Sequence, residues 1–219
     1  MLAIMPFQSL QWRSAPLIPP TSSTTGSVLP AAGSILLVTG PSRSGKSEWA
    51  ESLARASEQA VTYVATAQCD ADDVEWHTRI LAHRQRRPEH WRTLEIPFRI
   101  SSVLAQGGSG ECWLLDSLGT WLANCLEQSD ADWAATQAEF LSALRSHPGT
   151  LILVAEETGW GLVPAYPLGR TFRDRLGNLT RQVGAIADAV YLVVAGYAID
   201  LKRYGQLVQE YRVEEKTLP

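Results

Sequence analysis

The sequence predicts an α/β fold, a mostly parallel sheet with helices on both faces. Three observations lead to it. Short apolar runs at 35–39, 61–66, 112–116, 150–155 and 190–195 alternate with longer stretches of helical spacing, and strands that alternate with helices pair in parallel through crossover connections. The first run leads directly into Gly40-Pro41-Ser42-Arg43-Ser44-Gly45-Lys46-Ser47, a G-x-x-x-x-G-K-S phosphate loop, with a helix-compatible run behind it. Two later runs end in acids, at Asp116 and at Glu156-Glu157. In open parallel sheets the carboxyl ends of the strands carry the ligand site.

Length and composition bound the reading. At 219 residues the chain is expected to form one domain with a sizeable core. Its apolar content of 45% and charged content of 19% are those of a soluble globular protein. A net charge of −4 argues against a general nucleic-acid binder. Cys69, Cys112 and Cys125 are odd in number and include no C-x-x-C pair. Neither a disulfide framework nor a structural zinc site is expected, and a reducing, cytoplasmic setting fits. No run approaches the length of a membrane span, so no membrane partner is expected.

Residues 1–34 are rich in Pro, Ser and Thr and lack a basic start followed by an apolar stretch. They read as a disordered extension or a start codon placed too far upstream. A transit peptide is the alternative, with Arg13 its only basic residue. Residues 35–202 form the expected domain, and 203–219 a polar, peripheral tail.

In chain order, the first strand (35–39) delivers the loop and a helix runs on to about 57. Gly40 and Gly45 allow the turn and the close approach of backbone to phosphate. Pro41, Ser42, Arg43 and Ser44 form the cradle between them, and the N–H groups that follow Pro41 face the anion at a helix N-terminus. Lys46 reaches the outer phosphates and the Ser47 hydroxyl ligates Mg²⁺. Trp49, Leu53 and Ala56 fall at helical spacing toward the core. A second strand (61–66) is followed by a polar turn and a helix from 72 to about 84. Residues 95–97 read as irregular and 100–105 as a short helix. The apolar strand 112–116 ends in Asp116, which either holds Mg²⁺ beside the loop or caps the helix that starts after it. Helices are expected over 118–128 and 131–146, a buried strand over 150–155, a long helix over 169–187 and a last strand over 190–195. Glu156 and Glu157 are site candidates by their position at a strand end.

A second constellation lies at 76–92, dense in Arg and His within an acidic chain and holding three of the four histidines. A solvated basic face is the plain reading. A nucleic-acid patch with Trp76 and Trp91 for stacking is another. The sharper one puts Arg79 and His83, four residues apart, on one helical face. An imidazole beside guanidinium groups is able to attack a phosphoryl centre while the arginines hold its charge. Neighbouring cations favour the neutral, nucleophilic imidazole.

Five segments in order and at similar spacing carry a resemblance: Val38 through Ser47, Tyr63-Val64-Ala65-Thr66-Ala67, Arg79-Ile80-x-x-His83-x-x-x-Arg87-Pro88, Leu114-Leu115-Asp116, and Gly159-x-Gly161-x-Val163-Pro164. Together they resemble the bifunctional adenosylcobinamide kinase / adenosylcobinamide-phosphate guanylyltransferase family of cobalamin biosynthesis. The resemblance implies a RecA-like sheet, trimeric assembly and two reactions. ATP or GTP, with Mg²⁺, phosphorylates the aminopropanol hydroxyl of adenosylcobinamide. GTP then guanylylates a histidine, and adenosylcobinamide phosphate takes the GMP to give adenosylcobinamide-GDP. It places the nucleotide on the loop with Arg79, Arg87 and Asp116, the guanylylated histidine at His83, and substrate contacts at Glu157, Gly159 and Gly161.

The chain departs from the family pattern in places. Glu156 stands where the family has Asn, and Thr180-Arg181 where it has Asn-Gln. Trp76 replaces a usual Met, and Ala82 a His found in some members. The first two bear on cobinamide or nucleotide contacts. Two alternatives stand beside the bifunctional reading: an enzyme retaining one activity, and a phosphate-loop ATPase or switch that uses the basic stretch on nucleic acid.

Overall fold

The structure, a computed structural model, describes residues 32–68 and 87–208. Its elements are β1 (Ile35–Gly40), α1 (Lys46–Ala56), β2 (Ala60–Ala65), β3 (Arg92–Glu95), α2 (Ile100–Leu104), β4 (Glu111–Asp116), α3 (Leu118–Asn124), α4 (Asp130–Ser146), β5 (Thr150–Glu156), α5 (Pro167–Ile186), β6 (Ala189–Val194), β7 (Tyr197–Asp200) and α6 (Leu201–Tyr204). The seven strands lie in the order β3-β2-β4-β5-β1-β6-β7. All pairs are parallel except β6 with β7. The expected helix over 72–84 lies outside the described residues.

The sheet is buried on both faces, as continuous apolar runs require. Alternate residues of each strand point to opposite sides. Leu37, Trp113, Leu115, Leu151 and Leu153 pack with α2 to α5 in one core, including Trp121, Phe140, Leu176 and Leu179. Leu36, Val38, Tyr63, Leu114, Ile152 and Val154 pack with Ala50, Leu53 and Ala54 of α1 in the other. Trp49 sits at the rim of that second core, edge-on to Tyr191 at 5.7 Å.

Two strands escape the sequence pattern. β3 has the composition RTLE, too polar to read as a strand, and is held by pairing Thr62 through Ala65 with Arg92 through Glu95 at the sheet edge. β7 follows a two-residue turn, Ala195-Gly196, in which both residues have positive φ (51° and 81°), the hairpin geometry that matches strand twist. The last parallel strand therefore ends at Val194, and the chain folds back antiparallel before any tail begins.

Helix ends are set by specific partners. Ser129 caps α4, accepting from the Asp132 amide, and Asp130 and Asp132 favour the positive end of the helix. α3 stops at Asn124, short of the expected 128. The Arg175 guanidinium, from α5, donates to the carbonyls of Leu126 and Gln128 and pairs with Asp130 at 2.8 Å. It holds the following residues as a turn. Asn124 itself donates to the carbonyls of Thr66 and Pro97.

Cys112 and Cys125 are free and buried, and burial pushes the Cys112 thiol up to about 11. Such a thiol is unreactive. No helix among the described residues is long and apolar enough to cross a membrane.

At the opposite end of the sheet from the loop, His147 is buried between Gly107 and Gly149 and edge-on to Trp113 at 5.6 Å. Its Nδ1 lies 2.9 Å from the Leu104 carbonyl, and its Nε2 has no partner among the described residues. Burial lowers its pKa below the ordinary value. Below about pH 6.5 the unfolded chain therefore takes up the proton more readily than the folded one, so stability falls with pH down to the folded pKa. The urea midpoint is expected to drop between pH 7.5 and 5.5, and to drop less in His147→Gln. An equal drop in the two proteins would remove His147 as a source.

Candidate active site

The phosphate loop forms where β1 hands over to α1. Gly40 ends β1, Gly45 is the N-cap residue of α1 at φ 95°, and Lys46 and Ser47 open the helix. Glycine at position 40 is forced by packing: a Cβ there would lie 2.3 Å from the Val193 carbonyl oxygen and 2.8 Å from Ser44 Oγ. Between the glycines, Arg43 takes a positive φ of 58°. The Ser44 amide donates to Pro41 O, and the Gly196 amide donates to Ser44 O at 3.3 Å. The β6–β7 turn thus braces the loop from outside.

Lys46 Nζ folds back toward Pro41 O at 3.5 Å, a long contact that a ligand's oxygens readily displace. Ser47 is buried at the first turn of the helix, and the buried Ser44 hydroxyl has no partner among the described residues. An unpartnered buried hydroxyl within such a loop marks a position for a ligand's acceptor atoms.

Asp116 stands at the carboxyl end of β4, with β5 between that strand and β1. It is not the cap of α3. Ser117 is: its hydroxyl accepts from the Thr120 amide, and the Thr120 side chain accepts from the Ser117 amide. Tyr63 Oη donates to Asp116 Oδ2 at 2.9 Å. Burial, above all, holds the Tyr63 phenol well above its usual range, reinforced by the Asp116 charge, so the hydroxyl stays a donor.

Glu156 pairs across the sheet with Gly40 but is turned toward α3. Its carboxylate accepts from the Ser117 hydroxyl and, at 2.9 Å, from the Gly119 amide. A Cβ on Gly119 would overlap Glu156 Oε2, so the two residues are matched. Burial raises the Glu156 pKa, with the Ser117 hydrogen bond and Lys46 opposing it and Asp116 adding to it. The carboxylate that stands at the family's Asn position thus serves the N-terminus of α3.

Glu157 follows. Its amide donates to Gly40 O at 2.9 Å, and its carboxylate accepts from the Gly159 amide at 2.8 Å, shaping the connection to α5. Gly161 lies in open space. A cleft of about 510 Å³ joins Gly159 to the outer face of α5, lined by Arg173, Asp174, Gly177, Asn178 and Arg181. The Arg87 guanidinium lies over the Tyr63 ring, 3.3 Å from its centroid. Arg79 and His83 lie outside the described residues.

Sequence reasoning had gathered the loop and Asp116 to one end of the sheet, and the structure does the same. It missed Tyr63, Ser117, Gly119 and the bracing turn at Gly196. Tyr63 carried one signal, its place at the head of the segment Tyr63-Val64-Ala65-Thr66-Ala67.

A glycine loop between a buried strand and a helix, with an acid on a strand once removed, defines a phosphate-loop α/β fold. A solved structure from Pyrococcus horikoshii shares the fold, with a TM-score of 0.51 at 8% identity over 79% of this chain and 88% of that one. The particular family follows from sequence. The chain belongs to the cobinamide kinase / cobinamide phosphate guanyltransferase family, which matches residues 36–201. It is 43% identical over 168 residues to the bifunctional adenosylcobalamin biosynthesis protein CobP of Pseudomonas aeruginosa, covering 76% of this chain and 96% of that protein. It is 37% identical over 183 residues to the corresponding protein CobU of Escherichia coli, covering 77% and 99%. The chain is a cobinamide-processing transferase of cobalamin biosynthesis.

Proposed function

We propose that this chain carries both family reactions. In the first, the aminopropanol hydroxyl of adenosylcobinamide attacks the terminal phosphate of ATP or GTP, forming the phosphate ester and releasing the nucleoside diphosphate. In the second, His83 attacks the α-phosphate of GTP and pyrophosphate leaves. The phosphate of adenosylcobinamide phosphate then attacks the guanylyl group, giving adenosylcobinamide-GDP and freeing His83.

The observation that carries this reading is the loop. Its Gly40 position has no room for a Cβ, its Ser44 hydroxyl has no partner among the described residues, and Lys46 is within reach. Phosphoryl transfer asks mainly for positioning and charge neutralisation. The N–H groups of residues 42–45 orient the phosphates, and Lys46 balances the charge that develops on the transferred group. Arg79 and Arg87 add cations from the basic segment.

Ser47 and Asp116 fit Mg²⁺, which takes hard oxygen donors and is commonly held by one or two protein groups plus substrate phosphates. Among the described residues no group of three His, Cys, Asp or Glu side chains competes with that arrangement. When bound, the ion neutralises phosphate charge. Glu157, Gly159 and Gly161 flank the acceptor side, and the cleft that includes Arg181 lies beside them. Homotrimeric assembly and a cytoplasmic setting belong to the same proposal.

The test is a transfer assay with GTP labelled in the α-phosphate, run with and without adenosylcobinamide phosphate. Protein-bound label is expected without the acceptor, and its discharge into adenosylcobinamide-GDP on adding it. Discharge with no prior labelling of the protein would overturn the two-displacement course.

A further inference from the structure

We propose that Tyr63 is a positioning residue for the phosphate-loop reaction, fixing the carboxylate of Asp116 without touching substrate. The inference rests on the assignment of Asp116 to the metal side of the site.

Tyr63 is buried in the core beneath α1, among Ala50, Leu53 and Leu114. In the parallel pair of β2 with β4, Ala65 faces Asp116, and Tyr63 lies two residues earlier on the same face. Its ring therefore runs along the sheet toward the strand end, and its hydroxyl meets Asp116 Oδ2 at 2.9 Å. A hydrogen bond to a carboxylate is among the stronger ones and holds the plane of the acceptor. The ring cannot swing away, because the core encloses it and the Arg87 guanidinium lies over it. That cation also draws density from the ring, which strengthens the phenol as a donor.

The contact joins three stretches of chain: β2, the end of β4, and Arg87 of the basic segment. Groups that orient metal-side ligands in this way commonly govern metal affinity 10- to 100-fold. A hydroxyl that was merely satisfied in the core would govern stability alone.

Mn²⁺ is titrated into the full chain saturated with a non-hydrolysable GTP analogue and followed by electron paramagnetic resonance. Tyr63→Phe is expected to weaken Mn²⁺ binding by about tenfold or more, with the acceptor KM unchanged. In an Asp116→Asn background the same substitution is expected to have no further effect. 4-Aminophenylalanine at position 63 keeps a donor in place and is expected to restore binding. If the void left by Phe unfolds the chain, 4-methylphenylalanine fills it without donating and is expected to show the same loss. Wild-type Mn²⁺ affinity in a folded variant without the donor overturns the inference, as does an undiminished effect in the Asp116→Asn background. A wild-type chain that binds no Mn²⁺ with nucleotide overturns the loop reading itself, and this inference with it.

Discussion

Lys46→Ala is expected to lower phosphorylation of adenosylcobinamide by at least about a hundredfold, the cost of removing one aligned donor from a preorganised site. The true loss is expected to be larger, because Lys46 supplies a full charge where negative charge gathers. Its Nζ is held over the loop by a long contact to Pro41 O. It takes no part in either hydrophobic core. The variant should therefore fold, with an unchanged circular dichroism spectrum, and bind nucleoside triphosphate weakly by calorimetry. Full kinase turnover in a folded Lys46→Ala chain would refute the assignment of the loop.

His83→Ala is expected to abolish guanylyl transfer while sparing the kinase step. The wild-type chain should take label from α-labelled GTP in a form that acid releases and base does not, as a phosphorus–nitrogen bond requires. The variant should take none. In the proposed course, arginines on the same segment supply the charge that a departing pyrophosphate needs. Undiminished label in His83→Ala would place the nucleophile elsewhere. The two variants differ in what they test: His83→Ala isolates the guanylyl transfer, and Lys46→Ala tests the loop on which the kinase step depends.

Much of the fold was legible because its strands are buried on both faces. β1, β2, β4, β5 and β6 are runs of apolar residues bounded by polar or glycine-rich turns, and the strands lie within about one residue of those runs. β3 and β7 were not legible. They are four residues each, at the sheet edges, and exposed along most of their length, so no apolar pattern marks them. What makes them strands is an existing neighbour with free backbone groups.

The active site divides in the same way. Gly40 through Ser47 is a local pattern with a local mechanism, a turn followed by a helix N-terminus, and it needs no distant residue to be read. Asp116 was readable only as one of two things, a metal-side acid or a helix cap. The neighbouring Ser117 takes the cap with Thr120, which removes the second reading. Glu156 looked like an unexpected charge among the ligand contacts. Across 37 positions it meets the Gly119 amide, and it also binds the Ser117 hydroxyl, so the carboxylate answers the positive end of α3.

By itself, the sequence determined the phosphate loop, the parallel α/β class and membership of a cobinamide-processing family. Each rests on residues close together in the chain, or on short motifs kept in order. Only the tertiary structure decided what donates to Asp116, where Glu156 points, why Gly40 admits no side chain, and which helix ends where. Tyr63 and Asp116 are 53 positions apart, and Arg175 and Gln128 are 47. Contacts of that span arise from strand order and helix packing. Those are set by burial summed over the whole chain, and no local stretch encodes them.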